Sequence, residues 1–480
     1  MNSEDFRRHA HGFVDWMADY LEQVERYPVR AQVGPGEIAA RLPAGPPDEG
    51  EPMAAIFEDF KTTILPGITH WQHPSFFAYF TANSSPPSVL AEMLMATLAV
   101  QGMSWQTSPA ATELETRVMD WLRQMLGLPE GFAGVIHDTA SVATLSAVLT
   151  ARERALDWRS REAGLAAASA DKGALTAYAS AEAHSSVDKA VQIAGLGAAN
   201  LRKIPVTEDG GLDPDALAQA IEDDLAAGEI PTMVIATLGT TGRSGFDPLG
   251  PIGEICRRRG LWLHVDAAWA GSALVLPEQR WMIEGIEAAD SFVVNPHKWL
   301  FTNFDCTAFF LRDPAALVRT FEILPEYLKT REGTAVINFR DWGIQLGRRF
   351  RALKLWFVIR SYGVEGLREK IAAHIAWARE LGDLVEAAPD FELLAPPRLA
   401  LFCFRYHPET TDDPQALDAL NEGLLEALND SGKLYVTHTR IAGAYCIRFN
   451  IGQTTTERRH VLEAWRRIEE TARQVGETVT

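Results

Sequence analysis

From residue 86 to residue 350 the chain alternates helical stretches with short apolar runs, and no other feature limits its fold so tightly. The runs are Gly134-Val135-Ile136, Ala174 to Tyr178, Thr232 to Ala236, Leu261 to Val265 and Ser291 to Val294. They lack the period-two alternation of a sheet with one wet face, so the strands they predict are covered on both sides. Strands alternating with helices in this way imply a mostly parallel α/β sheet. In such sheets ligands collect beyond the carboxyl ends of the strands, so the chemically informative residues should follow the runs.

The flanking regions read differently. Phe6, Phe13, Val14, Met17, Tyr20, Leu21 and Val24 fall at helical spacing, which predicts an amphipathic helix ended by Pro28. After a Pro/Gly-rich stretch from Gly34 to Pro52, Met53 to Leu65 resumes that pattern and stops at Pro66-Gly67. Residues 1–85 are thus expected to form a helical arm that cannot bury its own apolar stripe and packs across a dimer. Residues 86–350 form the large α/β domain. Residues 351–480 read as a small α+β domain: a helical region after Leu353, an apolar run from Ala400 to Phe404, a hairpin of Leu434–Thr439 with Tyr445–Phe449, and a closing helix from Thr456 to Val475.

Charge and composition exclude several functions. With 45 Lys+Arg against 64 Asp+Glu, a net charge of -19 repels nucleic-acid phosphates and anionic membranes, leaving small molecules as the expected partners. The four cysteines, Cys256, Cys306, Cys403 and Cys446, form no C-x-x-C pair, so neither a disulfide framework nor a metal site is expected. Acidic residues interrupt the N-terminal apolar stretch (Glu4, Asp5, Asp15, Asp19), unlike a signal peptide, and no run reaches the roughly 20 apolar residues that span a bilayer. The expected location is the cytoplasm.

The strand ends hold the candidates. Asp266 follows Leu261–Val265 and precedes the small Ala267 and Ala268. An aspartate there either caps a helix or pairs with a protonated ring nitrogen of a cofactor. Ser291–Val294 runs into Asn295-Pro296-His297-Lys298-Trp299, with Leu300 and Phe301 after it, so Lys298 lies against a core. A desolvated lysine loses its proton more readily and becomes a nucleophile toward an aldehyde, whereas most lysines are simply solvated. Asn295 and His297 are then donors for a phosphate or for orientation, or part of a structural turn. The passage from Gly134 to Leu145 takes a strand into a helix through Thr139, Ala140 and Ser141, which suits an anion at a helix start and equally suits an ordinary cap. Thr240 and Thr241 sit between Gly239 and Gly242 in a tight turn. His184, after the run ending at Tyr178, either is a hydrogen-bonded structural residue or stacks on a planar cofactor.

Set side by side, these segments resemble the aromatic-L-amino-acid decarboxylases of the group II pyridoxal-phosphate decarboxylase family. The resemblance runs nearly end to end: His70-Trp-Gln-His-Pro-Ser-Phe-Phe-Ala-Tyr-Phe80, Ser108-Pro109 with Thr112-Glu-Leu-Glu115, Ala183-His-Ser-Ser186, Leu263-His-Val-Asp-Ala-Ala268, Asn295-Pro-His-Lys-Trp299, Asn303-Phe-Asp-Cys306 and Gly347-Arg-Arg-Phe350. It implies fold type I of the pyridoxal-phosphate enzymes, the aspartate-aminotransferase-like architecture. That is a mostly parallel seven-stranded sheet flanked by helices, with an N-terminal helical arm, a small C-terminal α+β domain, and a homodimer whose active site lies at the subunit interface. It further implies that Lys298 holds pyridoxal 5'-phosphate covalently, that Asp266 binds the pyridine nitrogen and that His184 stacks on the ring. Ala140, Ser141, Thr241, Ala268, Asn295 and His297 would cradle the cofactor. Tyr327, in Pro325-Glu-Tyr-Leu-Lys329, would protonate the carbon that has lost its carboxylate.

The implied reaction is decarboxylation of an aromatic L-amino acid (tryptophan or 5-hydroxytryptophan, DOPA, tyrosine or phenylalanine) to the amine and CO2. The alternative is an aromatic acetaldehyde synthase, which decarboxylates and oxidatively deaminates; related synthases lack the tyrosine or alter the histidine, and both are present here. Trp71, Tyr79, Phe80, Thr81, Ala82, Met103 and Gly347 fall in stretches that line the family's substrate pocket, as do Phe77 and Trp105. Thr81-Ala82 stands where animal enzymes place Pro-Thr, which removes an expected catechol contact. Met103 stands where an aromatic is common, and Asp138 and Val142 replace a Gly and a Glu around the phosphate turn. Gly347 matches the small residue of members that accept bulky indoles, which leans the reading toward tryptophan.

Overall fold

In the computed structural model, which describes residues 1–170, 173–323 and 335–479, the chain divides into two compact units. One is Ala82–His374; the other joins Met1–Thr81 to Ile375–Thr480.

The unit Ala82–His374 is built on seven strands: β1 (Ala133–His137), β2 (Leu175–Ser180), β3 (Leu201–Ile204), β4 (Ile230–Thr237), β5 (Trp262–Asp266), β6 (Ser291–Val294) and β7 (Thr307–Leu311). Their order is β1-β7-β6-β5-β4-β2-β3. β7 runs against both neighbours, and the pairs β6/β5, β5/β4, β4/β2 and β2/β3 are parallel. Because β1 and β6 each pair antiparallel with β7, the carboxyl ends of β1, β2, β4, β5 and β6 all open on one edge.

The five apolar runs became β1, β2, β4, β5 and β6, and every residue of β2, β5, β6 and β7 is buried. Burial on both faces is why these strands carry mostly apolar sequence without a period-two alternation. Helix Ala140–Ala155 supplies one cover, pressing Ala143, Ala147, Val148 and Ala151 toward Ala177, Ile235, Val293 and Phe309. Two strands escaped the run pattern. β3 is a four-residue edge strand with the polar Arg202 and Lys203 at its centre. β7 returns antiparallel beside β6, so no crossover helix announces it.

The second unit holds a four-stranded antiparallel sheet, β10-β11-β9-β8, made from β8 (Phe391–Arg398), β9 (Leu401–Tyr406), β10 (Thr437–Ile441) and β11 (Ala444–Asn450). β10 and β11 are the expected hairpin, and helix Arg458–Val479 closes the chain. The segment leading to Thr81 is tied into this sheet: the Asn450 N–H donates to the Phe77 carbonyl at 3.0 Å, and Phe77 stacks on Phe449 at 4.3 Å. Helix Ser3–Gln23 contributes no buried residue, although Phe13 packs on Phe57 at 4.4 Å. Among the described residues no helix is long and apolar enough to cross a membrane.

Candidate functional site

Two adjacent strands deliver the central pair of candidates. Asp266 is the last residue of β5, only 6% exposed, and its Oδ1 accepts the Ala268 N–H at 3.0 Å. β6 then leads through Asn295 into one helical turn, Pro296–Trp299, that carries Lys298 half-buried. That turn is heavily fastened. The Asn295 N–H donates to the Ala268 carbonyl at 2.9 Å, and the Thr307 hydroxyl donates to Asn295 Oδ1 at 2.8 Å. His297 is buried, its Nδ1 accepts the Cys306 N–H at 2.9 Å, and burial followed by the charge of Lys298 pushes its pKa down to about 3. Trp299 is fully buried, stacks on Trp269 at 4.9 Å and donates its indole N–H to His374 at 3.0 Å.

The same edge gathers the anion-binding candidates. Thr139 caps helix Ala140–Ala155, leaving Ala140 in the first turn and Ser141 exposed there. At the end of β4, Gly239 takes φ 78°, and a Cβ on it would lie 2.8 Å from the Cβ of Ala270, so glycine alone fits this turn. Thr240 is buried within it, accepting the Gly245 N–H at 2.8 Å, while Thr241 is exposed.

His184 caps helix Ser185–Ile193 through Nδ1, which accepts the Ser186 N–H at 3.1 Å and lies 2.8 Å from its hydroxyl. The residue is exposed. Partial desolvation by the protein around it, then the positive charge of Lys298, hold its pKa below the ordinary imidazole value, with Asp266 pulling weakly the other way. The imidazole is therefore neutral at neutral pH, and it feels both Lys298 and Asp266.

The substrate-pocket candidates divide between the units. In the second unit Trp71 stacks on Tyr79 at 5.8 Å, Tyr79 has φ 48° and is 47% exposed, and its hydroxyl lies 3.2 Å from that of Tyr435. Phe80 lies under the Arg448 guanidinium at 4.7 Å, and Thr81 is buried. In the unit Ala82–His374, Met103 and Gly347 belong to neighbouring segments. The Arg340 N–H donates to the Met103 carbonyl at 2.8 Å, and the Gly102 N–H donates to the Arg348 carbonyl at 2.9 Å. Tyr327 lies outside the described residues.

Two contacts in this architecture are not marked in the sequence, although Glu115 and Arg348 both lie in stretches quoted for the family resemblance. Asn83 touches the Lys298 turn, and Glu115 pairs with Arg348 at 2.6 Å in the interior. No local pattern marks either contact, since the partners stand more than 200 positions apart. Among the described residues no cluster of histidine, cysteine, aspartate or glutamate suited to a metal ion occurs.

Comparison with known proteins places this geometry in context. The model of the pyridoxal-dependent decarboxylase conserved domain matches residues 35–407. A phenylacetaldehyde synthase of Arabidopsis thaliana is 44% identical, covering 98% of this chain and 96% of its own length. A tyrosine decarboxylase of Narcissus pseudonarcissus is 43% identical, over 98% of this chain and 95% of its own. The crystal structure of Oryza sativa TDC with PLP and tryptamine superposes with a TM-score of 0.95 at 38% identity, over 99% of both chains.

Proposed function

This chain belongs to the pyridoxal-dependent decarboxylase family, and on that premise we propose that it decarboxylates an aromatic L-amino acid to the corresponding amine and CO2. The observation that carries this reading is the convergence of Asp266, Lys298 and His184 at the sheet edge where helix Ala140–Ala155 also begins.

The residues present suit pyridoxal 5'-phosphate. A buried carboxylate answers a cationic ring nitrogen, an amine answers an aldehyde, and a helix start with Ala140 and Ser141 in its first turn answers a phosphate, for which Thr241, after β4, would be a further donor. Bound there, the cofactor supplies an electron sink for the pair released when CO2 departs. Lys298 would hold it, Asp266 would keep the ring nitrogen protonated, and His184 would offer the ring a neutral imidazole. Ala268, Asn295 and His297 shape the remaining wall. Tyr327 returns a proton to the substrate α-carbon.

By the family resemblance, Trp71, Tyr79, Phe80, Thr81, Ala82, Met103 and Gly347 would each contact the substrate ring, and aromatic surface would contribute most of the binding. The absence of a side chain at Gly347 favours tryptophan over smaller rings. The 44% identical phenylacetaldehyde synthase gives the second reading its weight. On that reading the same residues would release aldehyde, ammonia and hydrogen peroxide at the expense of oxygen; His184 and Tyr327 favour the amine.

We also read the protein as a cytoplasmic homodimer with its active site at the interface. The four buried free thiols accord with a reducing compartment. Helix Ser3–Gln23 leaves Phe6 60% and Val14 41% exposed, and helix Pro86–Leu98 exposes Leu90 and Leu98 by 55% and 59%, surfaces that a second subunit would cover.

The test is a panel of tryptophan, 5-hydroxytryptophan, DOPA, tyrosine and phenylalanine scored for CO2, amine and hydrogen peroxide. CO2 and amine in equal amounts without peroxide are expected. Peroxide equal to CO2 selects the synthase, and no CO2 from any of the five removes the proposal.

A further inference from the structure

We infer that Asn83 is a positioning residue that sets the direction of Lys298 by clamping both peptide groups at the end of its turn. Asn83 is 1% exposed. Its backbone N–H donates to the His297 carbonyl at 2.9 Å, and its side-chain Nδ2 donates to the Lys298 carbonyl. The Lys298 N–H is engaged as well, donating to the Asn295 carbonyl at 2.9 Å. Both backbone polar groups of the lysine are therefore held, one from inside its own turn and one by a residue 215 positions away.

This clamp matters because Pro296–Trp299 is a single helical turn and cannot stabilise its own final carbonyls. On one side the turn is pinned by Trp299, buried between Trp269 and His374. Without Asn83 the Lys298 carbonyl would lose this hold, and the peptide after Lys298 could tilt about that pin. The side chain is a long lever, so a small peptide rotation displaces Nζ by much more. Misplacing a reacting group by about 1 Å costs on the order of 100-fold in rate. Asn83 also directly follows Ala82, so the clamp ties a substrate-pocket position to the lysine backbone. A neighbouring contact provides a contrast: the Ser85 hydroxyl donates to the Phe301 carbonyl at 2.7 Å, in the same strap but three residues beyond the lysine.

The inference rests on Lys298 being the cofactor lysine, so the experiment separates the two. Holoenzyme is reduced with borohydride and mapped for the modified lysine. Wild type, Asn83→Asp and Ser85→Ala are then compared by absorbance titration of the bound cofactor against pH, by steady-state kinetics and by thermal unfolding. Asn83→Asp keeps the size of the side chain but sets an oxygen against the Lys298 carbonyl. It should shift the absorbance midpoint by about one pH unit, a tenfold change in proton affinity. It should also lower kcat and kcat/KM together by about 100-fold with KM little changed. Ser85→Ala should leave the midpoint in place whatever it does to unfolding. Should Asn83→Asp fail to fold, Asn83→Ala, which introduces no charge, carries the same expectation. A wild-type midpoint and kcat in the Asn83 variants, or an equal shift in Ser85→Ala, overturns the inference while the cofactor assignment stands. Label on a lysine other than Lys298 overturns that assignment and the inference with it.

Discussion

Glu115 and Arg348 form an ion pair in the interior, with Oε1 2.6 Å from a guanidinium nitrogen and both side chains less than a tenth exposed. The same Oε1 accepts the Ile136 N–H at 2.8 Å, and Arg348 donates to the Ile136 and Gly102 carbonyls at 2.8 and 3.2 Å. The pair thus joins helix Pro109–Leu126 to β1, the strand that leads into helix Ala140–Ala155, and to the segments carrying Met103 and Gly347. Two stretches quoted for the family resemblance, Thr112–Glu115 and Gly347–Phe350, meet in this one contact.

Removing one partner leaves the other charged and buried. Glu115→Gln and Arg348→Met should each destabilise by about 3–5 kcal/mol, and the double replacement by less than their sum. Urea unfolding of the three variants measures this; additive losses would show that the two residues do not depend on each other.

Stability should fall as pH drops from about 6.5 toward 4. Burial holds His137 and His264 at about 4 and His297 and His374 at about 3, below the unfolded value of 6.5. The unfolded chain therefore binds protons first, and the stability present above 6.5 is lost through that window. Asp247, raised to about 7 by burial, acts with opposite sign, its contribution present below its unfolded value of 3.8 and lost as pH rises through 7. Four imidazoles outweigh one carboxyl. Unfolding midpoints at pH 7.5, 6 and 5 should decline, and a level series contradicts the assignment of four neutral buried histidines.

Gly239→Ala should cost about 1–3 kcal/mol, because the position requires φ 78° and the new methyl meets Ala270. The turn it deforms carries Thr241, so cofactor should also dissociate faster from the variant. Unfolding and a fluorescence off-rate measure the two effects; wild-type values in both would show that the turn tolerates a side chain.

Gly347→Ser should be silent in stability and loud in specificity. Its Cβ would sit 3.5 Å from Gln101 Oε1, an ordinary contact on an exposed segment, so the change in stability should stay within about 0.5 kcal/mol. The ratio of kcat/KM for tryptophan over tyrosine should drop by about 10–200-fold. An unchanged ratio would remove Gly347 from the pocket.

The chain announced the edge that carries the candidate site because each announcing signal is local. A strand buried on both faces is mostly apolar, so Leu261–Val265 and Ser291–Val294 were readable, with Asp266 directly after the first and Lys298 four residues after the second. The hairpin at β10 and β11 was readable for the same reason, as neighbours in sequence that pair in space. β3 was not, since an edge strand need not be apolar, and β7 was not, since its antiparallel return follows no helix.

What lay beyond the sequence was the set of contacts whose partners are distant along the chain. Asn83 with Lys298, Glu115 with Arg348, and Phe77 with Phe449 join segments hundreds of positions apart. Residue types and spacing alone located the candidate residues at the strand ends, because a strand needs only its own residues to show its burial, while their roles came from the resemblance to the decarboxylase family. Which side chains would hold those ends in place was decided when the sheet order brought remote segments together, because a hydrogen bond or ion pair depends on distance in space and leaves no periodic trace in either partner's neighbourhood.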